Sequence, residues 1–566
     1  MFNLPEIDDL VFRQLRQHEL ALCARVSRMW HRIVIPYLWG DLTYLSESAM
    51  YPSYVPDTMR RAFGMMVLDD YLLKTQHGEG QEEGHAMEKH VQAQPSVLEK
   101  HGPFVRVLPD PRGLLFYLPI RCNQPTTYQL LLHLFEHCSS AHVQYLEVEY
   151  DDLEPEDPWT RIVEAVLPRV RHLHVLADSV SRPSFSSFPK LEDMLDKSSN
   201  VLTRLELTVQ VPFVDEEDDD GKAGHMENGP KEWTSLKELC LFWCHEKSIS
   251  KTFWPWLWKR CSRIEKLQVD ALDSFIFQSL AVSMSITMFN LDKIRLGAGY
   301  LMGQHLTDNV VAALLSGSCK GWKVVQAGSS SEFGNAAVEA LTKHVSTLEE
   351  LSVGVCHGPT GNDLIQILAS APRLHTFALR DERSTGNMCP CFSADKFVDR
   401  DPSTGSLATW ACETSLKVLI ARIRGIPRPD LSGQSVYEDT QSSQGQAIQS
   451  LVHDRLARLT QLETLWLGNR PDESLQNRNE QCDCLEMSLE SGLYKLTGLK
   501  RLKELIVSGM KTKIGVKEVQ WMVTHWPRLR VIHGLDRDGE GKKAVGWLQE
   551  HHPEIRLELP PLGPFT

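Results

Sequence analysis

One arrangement of apolar residues recurs along most of the chain: an apolar residue, two others, a second apolar residue, one other, and a third apolar residue. Val143, Leu146 and Val148 form one copy of this repeat phrase. Apolar and polar residues alternate at its end, which is the two-residue period of a strand with one buried face. The copies begin at residues 143, 170, 202, 236, 264, 291, 348, 374, 416, 462 and 502, with weaker copies at 322 and 529.

Segments with helical periodicity lie between these copies, for example residues 161–170, 251–264, 363–374 and 516–529. Several of them end at a proline, which ends a helix and favours extended chain before it. A strand followed by a helix in each unit predicts parallel strands that neighbour one another in chain order.

The spacing of the phrase decides between two α/β architectures. From residue 143 to residue 348 the copies recur every 26 to 34 residues, near the ~20–29 residues of a leucine-rich repeat. We therefore predict a leucine-rich-repeat solenoid over residues 104–566, with parallel strands on the concave side and helices on the convex side. The alternative is a doubly wound sheet, but open sheets rarely exceed about ten strands, and no nucleotide-type glycine-rich turn is present.

Three polar segments interrupt the repeats near residues 214–230, 381–406 and 431–446. The first is acidic, and the last is rich in serine, glutamine and glycine. Because they offer few apolar residues for a core, we predict flexible insertions at all three places.

The first 45 residues have a different pattern, with three short helical segments that stop near Pro36. A chain of about 40 residues rarely builds a sufficient core alone, so this segment is expected to pack against a partner. Residues 46–103 are predicted to be a connector, with one helix near 59–74 and a flexible polar loop near 76–90.

The N-terminal segment resembles an F-box. The resemblance covers roughly the first 42 residues, and Glu19 departs from it by standing where the pattern has aspartate. The amino-acid sequence of this segment is similar to those of large F-box families of early-diverging fungi. The matching residues are Leu4-Pro5, Leu15, Leu20, Val26-Ser27-Arg28-Met29-Trp30 and Leu38-Trp39.

This resemblance implies a non-catalytic function. F-box proteins with leucine-rich repeats are substrate receptors of SCF (Skp–cullin–F-box) ubiquitin ligases, in which the F-box docks on a Skp-type adaptor and the repeats hold a protein substrate. The chain would then reach the cullin–RING core through the adaptor. The rival interpretation is a scaffold that binds the adaptor without recruiting a ligase, or a repeat protein whose F-box-like segment only caps the end of the repeats. The expected adaptor-binding residues are Leu4, Pro5, Ile7, Leu15, Leu20, Val26, Trp30, Leu38 and Trp39.

Composition narrows the classes of partner. Of the 566 residues, 42% are hydrophobic and 24% are charged, which is ordinary for a folded protein, and the net charge is −14. This charge argues against nucleic acid and anionic membranes as partners. The 13 scattered cysteines do not form a secreted disulfide framework. Without a leader or a run of ~18 apolar residues, we expect a cytoplasmic or nuclear protein.

Three common motifs of catalytic and metal-binding sites are missing from the sequence. Neither a phosphate-binding loop, a G-x-S-x-G turn nor an H-E-x-x-H pair occurs, so no cofactor and no enzymatic activity are expected. The C-x-C pairs at Cys389 and Cys482 are spaced unlike zinc ligands. His172 and His174 alternate on one predicted strand, but no carboxylate appears spaced to join them, so a structural role is expected.

The remaining chemistry is a surface for binding. Residues that flank the middle apolar position of the phrase point away from the core and are expected to line the concave face. Aromatic and arginine side chains in such a row are the types found in binding hot spots. The candidate substrate-binding residues are Phe242, Lys293, Arg295, Arg380, Arg422 and Trp466.

Overall fold

The computed structural model describes the parts of the chain that contain the repeats and short parts of the N-terminal segment. The chain divides into two compact units. Unit 1 comprises Met1–Cys240 and Lys247–Ile249, and unit 2 comprises Leu241–Glu246 and Ser250–Thr566. The described residues are 17–24, 30, 33–35, 37, 39, 67, 97–105, 107–108, 124–138, 141–149, 158–177, 194–209, 232–244, 253–272, 274–286, 288, 290–297, 306–328, 332–354, 361–379, 391–426, 439–468, 485–508, 510, 512–536 and 539–557.

Unit 1 alternates helices with parallel strands. Its helices are α1 (Gln17–Ala24), α2 (Val97–His101), α3 (Gln124–His137) and α4 (Pro158–Val166), with 3-10 turns at Gly102–Phe104 and Leu167–Arg169. Its strands β1 (Val107–Leu108), β2 (His142–Glu149), β3 (Val170–Ala177) and β4 (Arg204–Val209) pair in chain order, all parallel. The next strand, β5 (Glu238–Cys244), crosses the boundary between the units.

Unit 2 repeats the same alternation. Strands β6 to β10, β12 and β14 to β16 pair in chain order, and β11 with β13 forms a separate parallel pair. The strands are β6 (Lys266–Leu272), β7 (Lys293–Leu296), β8 (Val324–Ala327), β9 (Glu350–Val353), β10 (Thr376–Leu379), β11 (Cys391–Ser393), β12 (Val418–Ile420), β13 (Arg422–Arg424), β14 (Thr464–Trp466), β15 (Glu504–Ile506) and β16 (Val531–His533).

The helices of unit 2 connect these strands and match most of the predicted helical segments. A 3-10 turn at Leu493–Gly498 takes the place of a helix between β14 and β15. The helices are α5 (Phe253–Arg260), α6 (Ser274–Ile286), α7 (Asp308–Ser316), α8 (Asn335–Thr342), α9 (Gly361–Ser370), α10 (Ala394–Phe397), α11 (Asp439–Ala457), α12 (Val516–His525) and α13 (Gly539–His551).

The repeat phrase sets the register of the strands. Leu146 pairs with Leu173, and Leu173 pairs with Leu205, so the middle apolar residues of three copies stack in unit 1. All three are fully buried, and burying such a side chain stabilises the fold by about 1.5–3 kcal/mol. The same alignment runs through unit 2, for example Leu419 with Leu465. The prediction of parallel strands in chain order is thus confirmed within each unit.

Strand order also decides which face of each sheet is covered. Right-handed crossovers between sequential parallel strands place every connecting helix on the same face. The middle and last apolar residues of the phrase point toward that face and are buried. We call the opposite face, which carries the residues between them, the open face.

The prediction that the insertions are flexible is wrong in part for two of them. Within 381–406, residues 391–397 form β11 and α10, and Arg400 bridges to Leu407. Within 431–446, helix α11 already begins at Asp439. These segments contain too few apolar residues to fold alone, but they pack on the repeats: Phe392 stacks on Phe377 of β10 with ring centroids 5.7 Å apart. The insertion near 214–230 lies outside the described residues.

The predicted connector over 46–103 also needs a correction at its end. Residues 97–103 form α2 and the start of a 3-10 turn, and Leu98 in α2 is fully buried. They belong to the packed part of unit 1 because Leu98 and Val105 supply the apolar contacts that a connector lacks. Of the predicted helix near 59–74, Val67 is described and is helical and buried; the polar loop lies outside the described residues. No described helix is both long and apolar enough to cross a bilayer.

Candidate functional site

The predicted adaptor-binding segment is described at a few positions. Leu20 of α1 is 3% exposed and forms a small core with Val34. Trp30 packs on this core together with Cys23, Ala24, Ile33 and Tyr37. The predicted three-helix arrangement over residues 1–45 lies largely outside the described residues, as do Leu4, Pro5, Ile7, Leu15, Val26 and Leu38.

Trp39 and Leu22, two described residues of this segment, lie in different environments. Trp39 stacks on His101 with ring centroids 5.0 Å apart, so at least one of its faces is used inside unit 1. Leu22 of α1 is 59% exposed, although its neighbour Leu20 is buried. Leu22 is not among the predicted adaptor-binding positions.

A row of paired residues crosses the open face of unit 2. Each member is the direct partner of the next one across adjacent parallel strands, about 4.8 Å apart. We call it the central row. Its members are Gln268, Arg295, Gln326, Ser352, Ala378, Ile420, Trp466, Ile506 and His533.

The central row changes from polar to apolar residues half-way along. Its first four residues are polar, and the next four are alanine, isoleucine, tryptophan and isoleucine. Trp466 lies between Ile420 and Ile506, is half-buried, and donates its indole N–H to the carbonyl of Gly468 at 3.0 Å. This bond holds the indole in one orientation. Ala378, Ile420 and Ile506 are only 1%, 8% and 2% exposed, so Trp466 is the accessible member of this apolar stretch.

The structure brings together only some of the predicted substrate-binding residues. Arg295 and Trp466 belong to the central row, and Lys293 lies exposed beside Arg295 on β7. Phe242 lies on β5 and is half-buried. Arg422 does not continue the row after Ile420, because the chain leaves β12 and Arg422 pairs with Cys391 in the small sheet. Arg380 lies outside the described residues.

A polar network occupies the open face of unit 1. On β2, the Tyr145 hydroxyl donates to Glu147 Oε2 at 2.8 Å and lies 3.2 Å from Nδ1 of His174 on β3. Since the tyrosine proton is used, His174 Nδ1–H donates to the tyrosine oxygen. His174 Nε2 also lies 3.1 Å from Thr208 Oγ1. The network thus connects strands β2, β3 and β4 through a half-buried histidine.

Glu206 is the charged centre of this network. It is 4% exposed, bonds to Arg204 through two guanidinium nitrogens, and lies 3.3 Å from His172 Nε2. Burial alone would raise the pKa of Glu206, but its contact with His172 and the charges of His172, Arg204 and His174 outweigh burial and lower the pKa to about 2. Arg204 also reaches Glu238 at 3.4 Å.

The expectation that no carboxylate joins His172 and His174 is therefore wrong. Glu206 follows the middle apolar residue of its phrase, as His174 and Glu147 do in theirs, and the strand register places the three side by side. The signal was present in the sequence, but only an alignment of the three copies shows it. Chemically, the network offers paired charges and hydrogen-bonding groups without a nucleophile.

No protein-family model matches the chain, and no curated protein is significantly similar to it.

Proposed function

We propose that the chain is the substrate-recognition subunit of an SCF ubiquitin ligase. The N-terminal segment would dock on a Skp-type adaptor, and the open faces of the repeats would hold a protein substrate, in the cytoplasm or the nucleus. The chain itself would perform no chemistry. It would raise the effective concentration of substrate lysines near the ubiquitin-loaded enzyme of the complex.

The central row is the observation that best supports a protein-binding function. Ala378, Ile420, Trp466 and Ile506 come from four successive strands, so they span about 15 Å along one line. Trp466 is the accessible member of this stretch, and a tryptophan held in one orientation by buried neighbours is a residue type enriched in binding hot spots. Polar residues continue the line to one side, as in the rim of an interface.

The N-terminal residues support the choice of adaptor. The matching positions stand in the order and spacing of an F-box, and Leu22 leaves an apolar side chain exposed on α1. Leu20, by contrast, is buried beside Val34. We therefore expect Leu22 to contact the adaptor and Leu20 to hold the segment together.

A pull-down with the full chain and purified Skp-type adaptor tests this assignment. Leu22→Asp should abolish capture with the melting temperature unchanged, since Leu22 is exposed. The double variant Leu4→Ala with Pro5→Ala should also abolish capture, with the repeats still folded. Val282→Asp is the matched control, because Val282 is an equally exposed apolar residue on α6 and should leave capture intact.

A second pull-down of the full chain from a cell extract, where a cullin is present, decides between the ligase subunit and the scaffold. Adaptor together with cullin supports the ligase subunit, and adaptor alone supports the scaffold. Undiminished adaptor capture by the Leu4/Pro5 variant and by Leu22→Asp would contradict both.

A further inference from the structure

Three potential metal ligands meet on helix α3 of unit 1. His133 and His137 are one helical turn apart, and Glu136 lies between them in sequence. The two imidazole rings have centroids 4.5 Å apart and are tilted by 52°. One ligand atom from each of the three residues lies within 4.8 Å of the other two. This spacing differs from H-E-x-x-H and from that of the cysteine pairs.

A hydrogen bond within the helix orients the imidazole ring of His137. Nδ1 of His137 lies 2.8 Å from the carbonyl oxygen of His133. A carbonyl can only accept, so Nδ1 carries the proton and Nε2 presents its lone pair. A backbone carbonyl that orients a histidine in this way is the usual second partner of a metal-bound imidazole.

The position in the helix favours a cation as well. All three residues lie in or next to the last turn of α3, where the carbonyl dipoles place partial negative charge. Glu136 is exposed and His137 is half-buried, whereas His133 is 7% exposed. A bound ion would therefore have a protein side and an open side for water. Cys138, the next residue, is fully buried and is not needed as a ligand.

We infer that His133, Glu136 and His137 form a binding site for a divalent zinc-type cation. Two imidazole nitrogens and one carboxylate oxygen are a ligand set that suits Zn²⁺, with water as the fourth ligand. With bonds of about 2.0–2.2 Å, tetrahedral ligands lie about 3.3–3.5 Å apart, so rotations of three side chains on one helix close the site. This inference does not depend on the proposed ligase function.

The test uses the full chain after treatment with a chelator. Titration with Co²⁺ should give a saturable visible absorption at one ion per chain, and Zn²⁺ should displace it. His137→Gln and Glu136→Gln should each weaken Co²⁺ binding by roughly tenfold or more. Because Glu136 is exposed, its variant keeps the fold and provides the decisive measurement if a histidine variant unfolds.

A matched control separates this site from the other histidines. His525 also ends a helix and makes the same bond from Nδ1 to the carbonyl four residues earlier, at 2.9 Å. It is not in a described ligand group such as His133, Glu136 and His137, so His525→Gln should leave the titration unchanged. Absence of saturable absorption, or equal binding by wild type and the Glu136 and His137 variants, would overturn the inference.

Discussion

At the scale of single residues, Glu206 is the buried charged group at the centre of the polar network of unit 1. Its buried carboxylate is held by Arg204 and His172, so Glu206→Gln should lower the free energy of unfolding by about 2–3 kcal/mol, the range between a charge-assisted hydrogen bond and a broken buried ion pair. Glu164→Gln is the control, because its pair with Lys197 is exposed and should be worth less than about 1 kcal/mol. Equal losses in urea unfolding would contradict this assignment.

The same carboxylate predicts a pH dependence. The pKa of Glu206 in the folded protein is about 2, below its ordinary value of 4.5. A lowered carboxyl pKa stabilises the fold above the ordinary value, and this stabilisation is lost as the pH falls from 4.5 toward 2. The stability difference between wild type and Glu206→Gln should therefore shrink over that interval. A difference that stays constant from pH 6 to pH 3 would show that charge is not its origin.

His453 predicts a second pH dependence in a higher range. It is fully buried in α11, and its Nδ1 lies 2.9 Å from the carbonyl of Gln449. Burial lowers its pKa to about 4 from 6.5, so protonation favours the unfolded chain and stability falls as the pH drops from 6.5 toward 4. In His453→Gln, the loss of unfolding free energy between pH 6.5 and pH 4.5 should be smaller by about 2 kcal/mol. His551→Gln, at an exposed position, should leave that loss unchanged.

At the scale of elements, Asp308 links two helices. It lies in the first turn of α7, yet its carboxylate accepts from the N–H groups of Gly334, Ala336 and Ala337 at 2.7–2.9 Å. It thus caps α8 from the preceding repeat. Asp308→Ala should cost about 1–2 kcal/mol, as for loss of a cap. Asp395→Ala, which removes an acidic residue from the first turn of α10, should cost less in the same thermal denaturation experiment.

Arg455 of α11 forms hydrogen bonds with residues 397–413, part of which was predicted to be a flexible insertion. Its side chain has 0% exposure and donates to the carbonyls of Phe397, Asp399 and Ala408 and to the Glu413 carboxylate. Arg455→Met should leave those carbonyls unpaired, so amide hydrogen exchange over residues 391–413 should accelerate far more than in the strands of unit 1. Arg458→Met, at a more exposed partner of Glu413, should produce a smaller change. Unchanged exchange in Arg455→Met would contradict the fastening role.

The contrast between repeats and insertions explains what the sequence could predict. The strands followed from a local signal, since each phrase has the period of a half-buried strand and its copies pair in register. The folded part of 391–413 depends on contacts with residues far along the chain, such as Phe377 with Phe392 and Arg455 with Phe397. A composition-based prediction of disorder does not include such contacts.

The same distinction applies to the candidate site. The central row could be predicted as far as alternation along each strand holds, which placed Arg295 and Trp466 correctly on the open face. It failed at Arg422, where the chain leaves β12 for another sheet within two residues. The Glu206 network was missed because its members come from three copies of the phrase, and the polar residues of one copy do not show which residues of the next copies they meet.

At the scale of the whole molecule, the proposed function assigns separate tasks to separate residues of one chain. The adaptor-binding residues lie in unit 1, and the central row lies in unit 2. Each unit has its own buried strand core, so a substitution on an exposed part of one unit should not change binding by the other. A variant that loses substrate binding and keeps adaptor binding is therefore a stronger test of a receptor than a variant that loses one of them without a measurement of the other.

Trp466→Ala is the variant that tests this separation. Removing the indole from between Ile420 and Ile506 deletes the rigid anchor of the central row, so the set of proteins captured with the chain should lose its most abundant substrate-type members, by roughly tenfold or more for a hot spot worth about 2 kcal/mol. Adaptor capture should persist. Tyr494→Ala is the control, since Tyr494 is an exposed aromatic residue of unit 2 outside the row. If Trp466→Ala and Tyr494→Ala capture the same proteins as the wild type at equal melting temperatures, the central row is not the substrate-binding surface.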